Sequence, residues 1–288
     1  MGKLIFDIGC HQFKFTEACI DKYPACTIVA VDPLVEMYKA YDDTKYNGKL
    51  IFLGGVVSDT NDDMATVYIN RQEPGMTTVS EKFLKHSRFF QGNDYILTEY
   101  MNNSRTFMKK NELNPAIIAE YLPFPPEDYE SLDVFKQAIK NKYGNNYNFL
   151  QRIYANGIIT RVAPTITIDR MIEAYGTPDL IKIDVEGHES SVLKSLTTKV
   201  KKLCFEWNEE MAEELYDCIS LLENLGYDKF GVLGYFDEGD IYKHLTYNSA
   251  GDTFLQEPEY YSLNEVKNDL SKCINKDRRV NWGMVWVQ

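Results

Sequence analysis

The chain has no apolar run approaching the roughly 18 consecutive residues that a membrane-spanning helix needs, and its mean hydropathy is −0.37. A membrane partner is therefore not expected. It has no CxxC pair and no framework spacing among Cys10, Cys19, Cys26, Cys204, Cys218 and Cys273. In a chain this long, cysteines so placed read as reduced, mostly buried thiols. Basic residues are scarce, 31 Lys+Arg against 43 Asp+Glu, for a formal net charge of −12. Binding a phosphate backbone needs a basic surface, so nucleic acid is not expected as the main partner. The densest basic group, Lys199, Lys201 and Lys202, reads as a solvated strand edge. No leader segment is visible, because Met1-Gly2-Lys3 runs straight into Leu4-Ile5-Phe6-Asp7. A myristoylation signal would want Ser or Thr where Phe6 stands. The expected compartment is the cytoplasm. No internal repeat and no low-complexity linker breaks the 288 residues.

What is present is core-forming material. Apolar residues make up 44% and aromatics 13% of the chain, which excludes disorder as a whole-chain state. The first 60 residues or so alternate strand and helix signals. Short apolar runs at 3–8, 27–31 and 50–57 read as buried parallel strands. Phe15, Ala18, Cys19 and Ile20 recur at helical spacing, residues 34–41 fit one or two helical turns, and 65–69 reads as extended. The alternation resumes after residue 165, with strands at 165–168, 180–185, 202–207, 231–233 and 280–287. Helices are expected at 169–175, where Asp169 is the candidate N-cap, at 188–196 and at 211–225, which ends on Gly226. This is the grammar of a doubly wound, mostly parallel sheet with helices on both faces.

Between these halves the grammar lapses. Residues 80–156 are rich in aromatic and polar residues and carry helical patterns at about 81–90, 112–121 and 130–142. The stretch reads either as an inserted helical cap on a single domain or as a peripheral elaboration. Residues 237–273 are polar and show no pattern.

In an open parallel sheet, ligands bind beyond the carboxyl ends of the strands. Successive strands here end on Asp7-Ile8-Gly9-Cys10, Asp32, Ser58-Asp59, Asp184-Val185-Glu186-Gly187-His188 and Glu206-Trp207-Asn208. Asp32 closes the second strand, 25 residues after Asp7, where an acid can accept hydrogen bonds from both hydroxyls of a ribose. Gly9 allows backbone to approach a ligand closely. After Gly9 come Cys10, His11, Gln12, Phe13 and Lys14, so the G-x-G-x-x-G loop that cradles a pyrophosphate is missing. Asp7 would moreover repel a pyrophosphate. An acidic rim suits a cationic donor, and S-adenosylmethionine carries both an ammonium and a sulfonium.

Asp7-Ile8-Gly9-Cys10 resembles the opening of a class I methyltransferase cofactor loop. Pro178-Asp179-Leu180-Ile181-Lys182-Ile183-Asp184-Val185-Glu186-Gly187-His188-Glu189 resembles the segment characteristic of FkbM-type methyltransferases. Thr165–Asp169, the helix Ser190–Leu196 and Gly55–Asp59 are similar to the same family's surroundings of that segment. The resemblance implies a class I methyltransferase-like, seven-stranded sheet and methyl transfer from S-adenosylmethionine to a hydroxyl of a small molecule or glycan. It places Asp7 and Gly9 at the methionine end, Asp32 at the ribose and Ser58 with Asp59 on the adenine side, with Cys10, His11 and Asp184 also among the cofactor-binding residues. Phe13 and His11 depart from the family pattern. The Phe13 ring either swings onto the helix core or impairs cofactor binding.

A hydroxyl acceptor must lose its proton. His188 is the candidate base, grouped with Asp184 and Glu186; alternatively it faces solvent at the start of a helix. Asp184, Glu206 and Asn208 offer oxygen ligands for Mg²⁺; equally, Asn208 is a helix N-cap. Two other readings are a nicotinamide-dependent oxidoreductase and a non-catalytic module descended from a methyltransferase.

Overall fold

The computed structural model describes residues 2–39, 48–70, 74–86, 134, 137, 158–235, 242–247, 255–274 and 282–288. Apart from 134 and 137, which are helical, the patterns at 112–121 and 130–142 lie outside these residues, as does the end of the one at 81–90. Among the described residues no helix is long and apolar enough to cross a membrane.

The apolar runs become strands: β1 (Leu4–Ile8), β2 (Thr27–Asp32), β7 (Leu180–Ile183) and β8 (Leu203–Asn208) are buried along most of their length, and β3 (Leu50–Gly54) is buried at Leu50, half-buried at 51–53 and exposed at Gly54. All five run parallel, in the order β8-β7-β1-β2-β3. β9 (Lys229–Tyr235) and β12 (Trp282–Val287) complete a body of seven strands. The last strand slots antiparallel between β8 and β9. This is the class I methyltransferase-like order. Two short strands, β10 (Leu245–Tyr247) and β11 (Tyr261–Ser262), also pair with β9 and bring the sheet to nine.

The period-two alternation of each strand divides the core into two layers. On one face Phe6, Ile8, Val29, Val31, Ile181, Ile183, Leu203 and Phe205 are buried. They lie under α4 (Ile168–Tyr175), α5 (Glu189–Lys194), α6 (Ala212–Asn224) and α7 (Leu263–Cys273). On the other face Ile5, Ile28, Ala30, Leu180, Cys204 and Trp286 pack with Phe15, Cys19 and Ile20 of α1 (Lys14–Lys22). All six cysteines are free and buried.

Three expectations change. The run 50–57 is two strands. Gly54-Gly55 lets the chain turn out of the main sheet, so close to Pro164 that a Cβ on Gly55 would lie 2.8 Å from the Pro164 carbonyl oxygen. β4 (Val56–Val57) then pairs with Thr165 and Ile166 of β6 (Ile158–Ile166) in a small second sheet that also holds β5 (Met64–Asn70). The cap of α4 is Thr167, whose hydroxyl accepts the Arg170 N–H at 3.1 Å; Asp169 sits one residue inside and binds Thr197 instead. The patternless 237–273 segment contains β10, β11 and α7, the last closed by a Ser262–Glu265 capping box.

The chain divides into two compact units, Met1–Val67 with Val162–Gln288, and Tyr68–Arg161. Within the second, Tyr68 and Thr78 exchange backbone hydrogen bonds of 2.8 and 3.1 Å, and α3 (Glu81–His86) buries Phe83. α2 (Val35–Lys39) belongs to the first.

Candidate active site

The parallel register of β1 and β7 sets Asp7 opposite Lys182, both on the α1 face of the sheet. Asp7 is fully buried and Lys182 nearly so. The ammonium of Lys182 lies 3.4 Å from Asp7 Oδ1 and 3.1 Å from Asp184 Oδ2, and it donates to the Gly9 carbonyl at 2.7 Å. Thr16 donates to the other Asp7 oxygen at 2.7 Å. Burial alone would lower the lysine's pKa. The charges of Asp184 and Asp7 outweigh it and hold the pKa above the ordinary range. The Asp7 carboxylate, expected to face a cationic ligand, thus meets its cation inside the protein. Lys182 is the site residue that the sequence reading left without a role. Its signal was there: one lysine in Leu-Ile-Lys-Ile and one aspartate in Leu-Ile-Phe-Asp-Ile are the lone charges of two buried strands.

Past β1 the chain turns through Gly9, at φ +75°. Glycine is required there by protein rather than ligand, since a Cβ would fall 1.8 Å from the Asp184 carbonyl oxygen. Cys10 turns its thiol into the core, where burial pushes its pKa up, so that only its backbone can line a site. The Phe13 ring is buried too, edge-on to Phe52 and Tyr38 with centroids 5.9 and 6.3 Å away. It has swung onto the helix core.

Asp32 joins the β1 and β2 loops. Its Oδ2 accepts the His11 N–H at 2.9 Å and its Oδ1 accepts the Leu34 N–H at 2.8 Å. Burial raises its pKa, and the two N–H donors partly offset that. Each oxygen keeps a lone pair for a further donor. A buried carboxylate with spare acceptor capacity on both oxygens fits the hydroxyls of a nucleoside. Among the described residues the Nε2 of His11 is buried with no hydrogen-bond partner; burial lowers the imidazole's pKa, and the nearby charges acting on it are Asp184, Lys182 and Lys14.

The second half of the site is the turn from β7 into α5. Glu186 at φ +55° and Gly187 at φ +84° are both left-handed. The turn is tied by Glu189, whose two oxygens accept the Val185 and Gly187 N–H groups at 3.0 Å each. Burial pushes the Glu189 pKa up to about 8. His188 occupies the N-cap position of α5 but makes no side-chain capping bond. Its ring is largely buried, and Nε2 lies 3.3 Å from Ser58 Oγ. Burial lowers the His188 pKa against the opposing charges of Glu214 and Asp59, which favours the neutral imidazole.

Because β4 leaves the main sheet, Ser58 and Asp59 stand beside His188. Ser58 Oγ is 3.2 Å from Asp59 Oδ1 and 3.3 Å from Ser191 Oγ. The acidic rim also differs in membership. Asp184, Glu186 and Glu206 place carboxylate oxygens within 4.8 Å of one another. The Asn208 side chain is spent on the Met211 N–H at 3.0 Å, as an N-cap. Burial and the neighbouring Asp184 and Glu186 charges push Glu206 well up, and Glu206 hydrogen-bonds Asp184. Lys182 is already paired to one member of the trio, Asp184, at 3.1 Å.

The family model described as Methyltransferase FkbM domain matches residues 26–229. Among solved structures, the precorrin-6y C5,15-methyltransferase of Geobacter metallireducens GS-15 aligns over 100% of this chain and 79% of that one. Its identity is 7% and its TM-score 0.36, a likeness too low to bear on substrate. No curated protein matches the chain.

Proposed function

The chain belongs to the FkbM methyltransferase family, and from that premise we propose that it transfers the methyl group of S-adenosylmethionine to a hydroxyl oxygen of a small molecule or glycan. The observation that carries this reading is the imidazole of His188 at the end of β7, largely buried and so favoured in its neutral form. A neutral imidazole there can take the proton that a hydroxyl must lose.

S-adenosylmethionine, when bound, supplies an activated methyl carbon, so the protein's work is to position, dehydrate and deprotonate. Asp32 would hold the ribose hydroxyls, while the backbone of Gly9 and Cys10 lines the methionine end. Lys182 keeps the Asp7 and Asp184 carboxylates fixed beneath that end. Asp184 and Glu186 form the polar wall towards His188. The net charge of −12 favours a neutral or cationic acceptor.

Calorimetry with S-adenosylmethionine, S-adenosylhomocysteine and NAD tests the reading. Binding of the first two alone is expected, and Asp32→Ala should weaken it by about 1–3 kcal/mol through loss of a buried acceptor. Binding of NAD instead would make the chain an oxidoreductase. Binding of none would make it a non-catalytic module.

A further inference from the structure

The hydrogen bonds around Ser58 determine which nitrogen of His188 is basic. Ser58 has one hydroxyl proton and two lone pairs. Three groups lie within reach of its oxygen: Asp59 Oδ1 at 3.2 Å, His188 Nε2 at 3.3 Å and Ser191 Oγ at 3.3 Å. A carboxylate can only accept, and a bond to a charged acceptor is roughly twice as strong as a neutral one. The single proton therefore goes to Asp59. The Ser58 oxygen is left to accept twice, once from Ser191 O–H and once from His188 Nε2–H, which fills its valence.

We propose that Ser58 and Asp59 are positioning residues, which hold the His188 proton on Nε2 and thereby make Nδ1 the atom that receives the acceptor's proton. Among the described residues the His188 side chain is hydrogen-bonded through Nε2 and not through Nδ1, which leaves the Nδ1 lone pair available. In the transfer step the hydroxyl O–H bond breaks and its proton joins Nδ1. The oxygen's electron pair forms the new bond to the methyl carbon, and the sulfonium leaves as a neutral thioether. The imidazolium so formed keeps its Nε2–H on Ser58, and the nearby Asp59 carboxylate favours that charge. This assignment rests on His188 as the base. It also moves Ser58 and Asp59 from the adenine side, where the resemblance placed them, to the base.

The test is ¹⁵N NMR of ring-labelled full-length protein, read above the imidazole's titration. Wild type should show a protonated Nε2 and an unprotonated Nδ1 for His188. Asp59 is exposed, so Asp59→Ala should fold, and it frees the Ser58 proton to donate to Nε2. The ratio of Nδ1–H to Nε2–H should then rise roughly tenfold, the worth of one hydrogen bond. Ser58→Ala, which removes acceptor and donor together, should not produce that reversal. A wild-type proton on Nδ1, or an Asp59→Ala spectrum unchanged from wild type, overturns the assignment. S-adenosylhomocysteine binding by wild type is read separately. Its absence would defeat the methyltransferase reading whatever the tautomer. A loss of that binding in Ser58→Ala, with folding intact, would return Ser58 to the cofactor's adenine side and likewise overturn the assignment.

Discussion

Lys182 shows how much depends on a single side chain. Its ammonium faces two carboxylates, Asp7 and Asp184, and it also holds the Gly9 carbonyl. Lys182→Met keeps the side chain's bulk and removes the charge, leaving Asp7 buried with an uncompensated carboxylate. The expected cost is about 3–5 kcal/mol in the free energy of unfolding, measured with denaturant. Asp7→Asn in the same chain should recover part of it. A Lys182→Met protein as stable as wild type would show that Asp7 takes up a proton at no cost. The positions of Asp7, Asp32 and His188 at strand ends were legible in the sequence, because strand ends can be read from apolar runs. The duty of Asp7 was not. Its partner lies 175 residues away, and only the β1–β7 register shows that the two side chains share a face.

At the scale of an element, the turn 184–188 is a strained piece of backbone held by one carboxyl. Glu186 is left-handed without being glycine, and Glu189 secures it by binding N–H groups on either side. Burial raises the Glu189 pKa from its ordinary value to about 8. Over the window between about pH 4.5 and 8 the folded protein therefore holds a proton that the unfolded chain has released. That contribution to stability is complete below the unfolded value and is lost as pH rises through the folded one. Glu189→Gln has no proton to lose, so its stability should fall less across the same window. The difference should be on the order of a few kcal/mol, read from denaturant unfolding at several pH values. Parallel curves would mean that its two N–H donors keep Glu189 ionised throughout. The sequence motif marked this turn, but no spacing rule told that its last glutamate clasps the first half. Helix α7 is the opposite case. Ser262 and Glu265 form a capping box, and Leu263, Val266, Leu270 and Cys273 are buried at helical spacing. The signal is short and flanked by polar residues, and so it was lost in the segment's average.

For the whole molecule, the strand–helix alternation was enough to read the class of sheet. The strand order needed contacts no local pattern carries, above all β12 entering antiparallel between β8 and β9. The position of Ser58 depends in the same way on the bend at Gly54-Gly55, which sends β4 to β6. The unit made of Met1–Val67 and Val162–Gln288 contains both core layers and every residue assigned here to cofactor or base. It also brings its own two chain segments together. The Thr165 N–H donates to the Asp63 carbonyl at 2.9 Å, the Asp63 N–H donates to Thr165 Oγ1 at 3.1 Å, and β5 neighbours β6. Closing a short loop across such a neighbouring pair costs little entropy. Replacing residues 68–161 by a short Gly-Asn turn should therefore leave a protein that unfolds cooperatively and binds S-adenosylhomocysteine as wild type does, by circular dichroism and calorimetry. A folded deletion protein without that affinity would place part of the cofactor site in Tyr68–Arg161. An unfolded one would show that the two segments need the intervening chain to meet, which the hydrogen bonds between Asp63 and Thr165 argue against.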